Sequence, residues 1–307
     1  MSIVANIKNK YAGYRLAKVN KLENSVKEIE GCVTASPLSP GKLMPDKLKI
    51  TFKTLPRQLS IAKNMEITVK SLKNNPRNPK IEAEDDFIKQ LENYAGSIGI
   101  NNIGYIKVPS KLIFKDKSIL FDNAIILMME MDKKAVDAAP SPETQEMSNV
   151  TYDELGKKTN KLAEFLRENG FAAHASHPAG GVVIYPHLAQ KAGLGYKGAH
   201  GMLITPEFGP RQRLSAIFTS IQNLPVNTHN KHSWIPDFCV KCGRCIKNCP
   251  GNAIIQEKSP ETGKTRTNIA KDLCSGCTIC MRECSFNRRG YTQIKGKFEK
   301  SKEIIGS

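Results

Sequence analysis

Over the first eighty residues the apolar positions are irregular, and beyond them they settle into helical and strand periods. In residues 1–80 lysines alternate with prolines at 37, 40, 45, 56, 76 and 79, which break any long element. Residues 49–52 predict a short strand there and residues 58–72 a helix. From Asp85 the pattern sharpens. Asp85 and Asp86 suit a helix start, and Phe87, Leu91, Tyr94 and Ile98 recur at helical spacing until Gly99, which predicts a helix ending near Ser97. Residues 103–108 read as a strand stopped by Pro109, and residues 124–131 (AIILMMEM) as a longer buried strand whose methionines fill a core. After an expected loop at 138–143 (AAPSPE), Leu155, Leu162, Phe165 and Leu166 place an apolar face on a helix that Gly170 ends, with Tyr152 near its start. Strand-like pieces follow at 171–174, 182–185 and 202–205.

No run of eighteen apolar residues occurs, and the first residues, MSIVANIKNKYAGYR, show neither an apolar signal core nor a twin-arginine pair, so a cytoplasmic protein is expected. The net charge of +17 is unevenly spread: residues 1–80 carry +11, 81–150 carry −5, 151–237 carry +3 and 238–307 carry +8. Basic ends of this kind either dock an acidic electron donor, nucleic acid or an anionic surface, or are simply solvated.

The chemistry is concentrated in the last quarter, which holds eight of the nine cysteines. Cys239, Cys242, Cys245 and Cys249, followed by Pro250, read C-x2-C-x2-C-x3-C-P. Cys274, Cys277, Cys280 and Cys284 repeat the spacing with Ser285 in place of the proline. This is the ferredoxin arrangement for two [4Fe-4S] clusters, in which three close thiolates grip one cubane and the fourth ligand reaches to the other. It assigns Cys239, Cys242, Cys245 and Cys284 to one cluster, and Cys274, Cys277, Cys280 and Cys249 to the second. Structural zinc sites instead space two C-x2-4-C pairs by a loop, which tandem triple runs do not do. Cys32 is left over as a buried or idle thiol, and reduced thiols agree with the expected compartment.

A second informative stretch is residues 192–213, AGLGYKGAHGMLITPEFGPRQR, where Gly193, Gly195, Gly198 and Gly201 let the backbone come close to something. His174, His177, His187 and His200 surround it in sequence, and a lone histidine is more often a satisfied polar residue than a ligand.

This glycine stretch, some fifty residues before the cysteine runs, resembles the reductive dehalogenase and epoxyqueuosine reductase superfamily. The resemblance covers about residues 81–290 and includes ENYAGSIGINNIGYI, APSP at 139–142, and Tyr152 followed ten residues later by LAEFLRENGF. It implies an α+β fold, with a nitroreductase-like core of mixed sheet and flanking helices followed by a ferredoxin-type domain. The division expected is a basic N-terminal arm at 1–80, a corrinoid-binding-like core at 81–232 and a two-cluster domain at 233–307. Two [4Fe-4S] clusters and cobalamin are the cofactors so implied. The resemblance places Gly193, Gly195, Gly198, His200 and Gly201 on the wall of the corrinoid pocket. It gives Tyr152 the role of proton donor, against the plainer reading of a half-buried helix-start tyrosine, and Arg211 that of its basic partner or of a group that stabilises a substrate anion. Asn149 and Val150 stand where epoxyqueuosine reductases carry an acidic donor, and His177 or Pro178 where the dehalogenases have an asparagine. The first departure speaks against tRNA and the second against a dehalogenation substrate, which leaves an unnamed small molecule as the expected substrate. A reduced donor such as a ferredoxin or flavodoxin would supply electrons to this iron-sulfur reductase. The alternatives are an electron-transfer subunit without chemistry of its own and a tRNA-modifying enzyme.

Overall fold

A computed structural model describes residues 54–100, 102–227, 229–258, 263, 265–270 and 272–306, together with 21, 23, 26 and 28–31, and the side chains of these up to 301. The expected strand at 49–52 and the spare thiol Cys32 lie outside the described residues.

The core runs in the order α1 (Leu55–Lys70), α2 (Asp85–Ser97), β1 (Asn102–Lys107), β2 (Asn123–Glu130), α3 (Lys133–Asp137), α4 (Pro142–Glu168), β3 (Ala173–Ser176), α5 (Tyr185–Lys191), β4 (Tyr196–Lys197), β5 (Leu203–Ile204) and β6 (Gln212–Thr219). Four strands form one sheet in the order β1-β2-β6-β3, and every neighbouring pair is antiparallel. The mixed sheet expected from the resemblance is thus corrected to an antiparallel one. The continuous apolar run of β2 reflects burial on both faces, which a parallel central strand shows as well.

Alternation along β2 explains the two layers. Ile125, Leu127 and Met129 meet Leu91 of α2 and Leu155, Leu162 and Leu166 of α4 on one face. Ala124, Ile126 and Met128 meet Val183, Leu188 and Leu203 on the other. Between α4 and β6 the hydroxyls of Thr159 and Ser215, both fully buried, satisfy each other at 2.7 Å.

Helix α2 and strands β1 and β2 match their sequence patterns to within a residue at either end, and α1 covers most of the predicted 58–72 helix. Helix α4 begins earlier than its apolar face indicates. Ser141 caps it, its hydroxyl accepting the Thr144 N–H at 3.2 Å, and Pro142 takes the first turn where its missing N–H costs nothing. The expected 138–143 loop is a connection over 138–141, with only Pro142 and Glu143 drawn into the helix, and Tyr152 lies mid-helix. The strand expected at 182–185 is a single bridge from Val183 to Ile113, after which α5 starts.

The second unit follows as α6 (Ile235–Cys242), α7 (Arg244–Lys247), β7 (Ile254–Lys258), β8 (Thr265–Ile269), α8 (Ile279–Arg282), α9 (Ser285–Arg289) and α10 (Tyr291–Gly306). Strands β7 and β8 form a hairpin. Gly243 links α6 to α7 at φ +58, a left-handed conformation that favours glycine, and so turns the chain between Cys242 and Cys245. An aromatic group of Trp234, Phe238, Phe286, Tyr291 and Phe298 ties α10 to the cysteine helices. Core and cysteine unit are joined by Asn287 Nδ2 donating to Asp137 Oδ1 at 2.8 Å, by Arg282 donating to the Ala139 carbonyl, and by Met131, Val136, Met147 and Met281 packed together.

Candidate metal centre

The two cysteine runs interleave. Cys239, Cys242, Cys245 and Cys284 line one cavity together with Ala199, His200, Ser285 and Phe286. Burial raises the Cys284 thiol most, and the neighbouring charges that raise it further are those of Cys239 and Cys245. Cys280 is pushed up to about 12 by burial and then by Cys245, Cys277, Cys274 and Cys249. Cys249, from the first run, therefore lies in the field of the second. Cys239 is pushed up to about 12 and Cys245 to about 11, again first by burial and then by neighbouring thiolates. Such thiolates repel one another in a poorly solvated space, and a cationic iron-sulfur core is what their ionisation calls for. The donor set fits [4Fe-4S] clusters in chemistry and grouping. The Cys239 group is the deeper of the two, since Cys245 and Cys284 are buried, while Asp272, Leu273, Ser275 and Gly276 beside Cys274 and Cys277 are exposed.

The glycine stretch lies over this cavity, and its glycines serve the chain itself. A Cβ on Gly195 would stand 2.2 Å from the carbonyl oxygen of Ile204, across the β4–β5 pairing. One on Gly198 would meet Ile204 Cδ1 at 2.5 Å and the His200 ring at 3.0 Å. Gly201, at φ +81, faces Ile269. The loop closes on its own hairpin, and Ala199 and His200 line the cysteine cavity. On the side where a Cβ would stand, Gly195 and Gly198 face protein atoms rather than open space. His200 Nδ1 accepts the Met202 N–H at 3.2 Å, whereas its buried Nε2 has no partner among the described residues. Burial lowers this imidazole to about 4.

Tyr152 is half-buried on α4 against Ile61, Met65 and Ala179. The guanidinium over its ring, 3.7 Å from the centroid, is that of Arg213, which also donates to Ser148 Oγ at 2.9 Å. Arg211, expected as the tyrosine's partner, pairs with Glu130 Oε1 at 2.6 Å and donates to the Met131 carbonyl at 3.1 Å. The two arginines have the same strand parity and differ in where they stand relative to the strand. Arg213 stands opposite Met129, whose side chain points to the α4 face, while Arg211 precedes β6. Next to Tyr152, Asp153 is buried and holds Ser60 Oγ at 2.6 Å and Lys157 Nζ at 2.8 Å. His177 is buried beside the same helix: a Cβ on Gly156 would stand 2.0 Å from its Nε2, so the glycine makes room for the ring. Arg213 was legible as the second arginine of GPRQR, and Ser285 as the departure from the C-P ending. The sequence carried no signal that Asp153 would be buried.

An antiparallel α+β core joined to an interleaved cysteine unit describes the class of protein. Residues 238–287 match the family model for the 4Fe-4S dicluster domain. The chain's homologues are reductive dehalogenases and epoxyqueuosine reductases. It is 28% identical over 195 residues to the tetrachloroethene reductive dehalogenase of Desulfitobacterium hafniense, covering 57% of this chain and 34% of that one. Over 195 residues it is 32% identical to the tetrachloroethene reductive dehalogenase of Dehalobacter restrictus, with the same coverage. It is 26% identical over 132 residues to the epoxyqueuosine reductase of Listeria monocytogenes, covering 38% and 33%. The chain thus spans about a third of the length of these relatives. Among solved structures, a reductive dehalogenase described as suggesting a mechanism for B12-dependent dehalogenation shares the fold with a TM-score of 0.60 at 17% identity, covering 82% of this chain and 41% of that one. Among the described residues no helix is long and apolar enough to cross a membrane.

Proposed function

We propose that the chain is an iron-sulfur oxidoreductase that carries electrons through two [4Fe-4S] clusters to an acceptor held by its reductive dehalogenase-like core. The observation that carries this reading is the interleaving of the two runs, with Cys284 among Cys239, Cys242 and Cys245, and Cys249 in the field of Cys274, Cys277 and Cys280. In it the more exposed Cys274 group takes one electron at a time from a reduced ferredoxin or flavodoxin in the cytoplasm. The deeper Cys239 group passes each on toward the core. In this reading the two-cluster unit begins near residue 233, and the core reaches back before residue 81 to include α1, which packs on α4 through Ser60, Ile61 and Met65.

In this reading the substrate is a small molecule rather than tRNA. Tyr152 then serves as the proton donor, with the Arg213 guanidinium stacked over its ring and holding it in place. Arg211, tied to Glu130, acts at the sheet edge toward an anionic group. A corrinoid is the acceptor suggested by the B12-dependent relative, and it would have to lie elsewhere than on the side of Gly195 and Gly198 where a Cβ would stand. The self-packed glycine loop favours a second reading, an electron-transfer subunit that hands its electrons to a partner. Anaerobic purification from cells supplied with cobalamin separates the two: stoichiometric corrinoid supports the reductase, and full cluster content with none supports the relay.

A further inference from the structure

The cavity lined by Cys239, Cys242, Cys245 and Cys284 has two side chains on its wall whose hydrogen-bonding capacity the fold does not use up. His200 presents a buried Nε2 with no partner among the described residues. Because its Nδ1 accepts the Met202 N–H, the proton of the neutral ring resides on Nε2, which is thus a donor. Gly198 has no side chain at the position that the imidazole edge occupies, and the Ala199 N–H is already directed to Cys239. Opposite, Ser285 Oγ lies 3.1 Å from Cys242 Sγ and is itself buried. It stands where the first run has Pro250, which offers neither a hydroxyl nor an N–H. Around Cys249 and Cys280 the packed neighbours are Ala199, Ile246, Ile254 and Ile269, and a backbone N–H, that of Ala253, reaches Cys249 Sγ at 3.3 Å.

We infer that His200 Nε2–H and Ser285 Oγ–H donate hydrogen bonds to sulfur of the cluster held by Cys239, Cys242, Cys245 and Cys284, and raise its reduction potential. The inference rests on the two-cluster reading above. Reduction adds one negative charge to a cluster and spreads it over the sulfurs, so donors aimed at sulfur stabilise the reduced form more than the oxidised one. With both clusters bound, one electron would pass from the group held by Cys274, Cys277, Cys280 and Cys249 to that held by Cys239, Cys242, Cys245 and Cys284, with no bond broken and no proton moved. The two donors thereby bias the electron toward the cluster next to the core.

The test is potentiometry on the full chain, anaerobically reconstituted, with iron content measured on every sample. His200→Leu removes the donor, and the reduced-to-oxidised ratio of one cluster at a fixed potential should fall about tenfold, a shift of ~59 mV for a one-electron couple. His200→Gln, which keeps an N–H donor, should recover part of it. Ser285→Ala should lower the same wave, which identifies it as the cluster of Cys242, and Ser285→Thr should restore it. Unchanged potentials in both His200→Leu and Ser285→Ala at full iron content would overturn the inference, as would a shift confined to the other wave. A wild-type chain that takes up iron for one cluster only would instead overturn the reading beneath it.

Discussion

Replacing Gly195 by alanine distinguishes a glycine required by the chain from one required by a cofactor. The added methyl would stand 2.2 Å from the Ile204 carbonyl oxygen, 3.0 Å from its carbon and 3.1 Å from Thr205 Cγ2. The obstacle is backbone in the paired strand, where Tyr196 faces Ile204, so it cannot rotate aside as a flexible side chain would. Relief means separating β4 from β5 and loosening the bond from Asn230 Nδ2 to the Gly195 carbonyl, now 2.9 Å. Overpacking costs about 1–3 kcal/mol and a lost hydrogen bond about 1 more, together roughly 2–4 kcal/mol. For a chain of this size that lowers the melting temperature by roughly 3–6 °C. The assay is thermal unfolding, followed by circular dichroism, of wild type and Gly195→Ala, each with clusters and without added cobalamin. The account predicts the full loss of stability in the absence of any corrinoid. Equal melting temperatures without cobalamin, with a deficit that emerges only when it is added, would refute the reasoning and restore the loop as a cofactor wall.

Other predictions concern cluster ligation and pH. Cys249→Ala should damage the cluster of Cys274, Cys277 and Cys280 and spare that of Cys239, as electron paramagnetic resonance of the reduced variant would record; loss confined to the Cys239 cluster would contradict the crossing. His174 is lowered from 6.5 to about 4, first by burial and then by the charge of Arg167. A base whose folded value is depressed contributes full stability above the unfolded 6.5, and that stability is lost as pH falls from there toward 4. His174→Phe, whose ring also suits the contact with Phe218, should therefore show a flatter decline over that window, by up to about 3 kcal/mol in denaturant titrations. Parallel declines would show that His174 does not carry the effect.

Periodic, locally determined elements were legible: α2 from its i, i+3/i+4 apolar positions, β1 from its Pro109 stop, β2 from its apolar run, and the iron-sulfur character of the cysteine unit from its spacing. What stayed hidden depends on distant partners. The start of α4 is set by the Ser141 cap, although proline and serine in APSP look like a loop. Strand β6, QRLSAIFT, lies between β2 and β3 with both faces covered, and its polar first half conceals an alternation that only the partner strands make visible. Arg213 replaces Arg211 at Tyr152 because Arg213 lies within β6 opposite Met129, whereas Arg211, two residues earlier, lies before the strand and is held by Glu130 and the Met131 carbonyl, a difference that GPRQR does not reveal. The glycines of AGLGYKGAHG were recognisable as sites of close approach. That the approaching atoms belong to Ile204, His200 and Ile269 was not.

The central claim is that one chain holds two cubane clusters on interleaved cysteines, and the most direct measurement is iron and acid-labile sulfide per chain after anaerobic reconstitution. Eight thiolates at this spacing predict about eight irons and eight sulfides, with the Cys32→Ser variant unchanged. About four irons per chain, or stoichiometric zinc in their place, would contradict it.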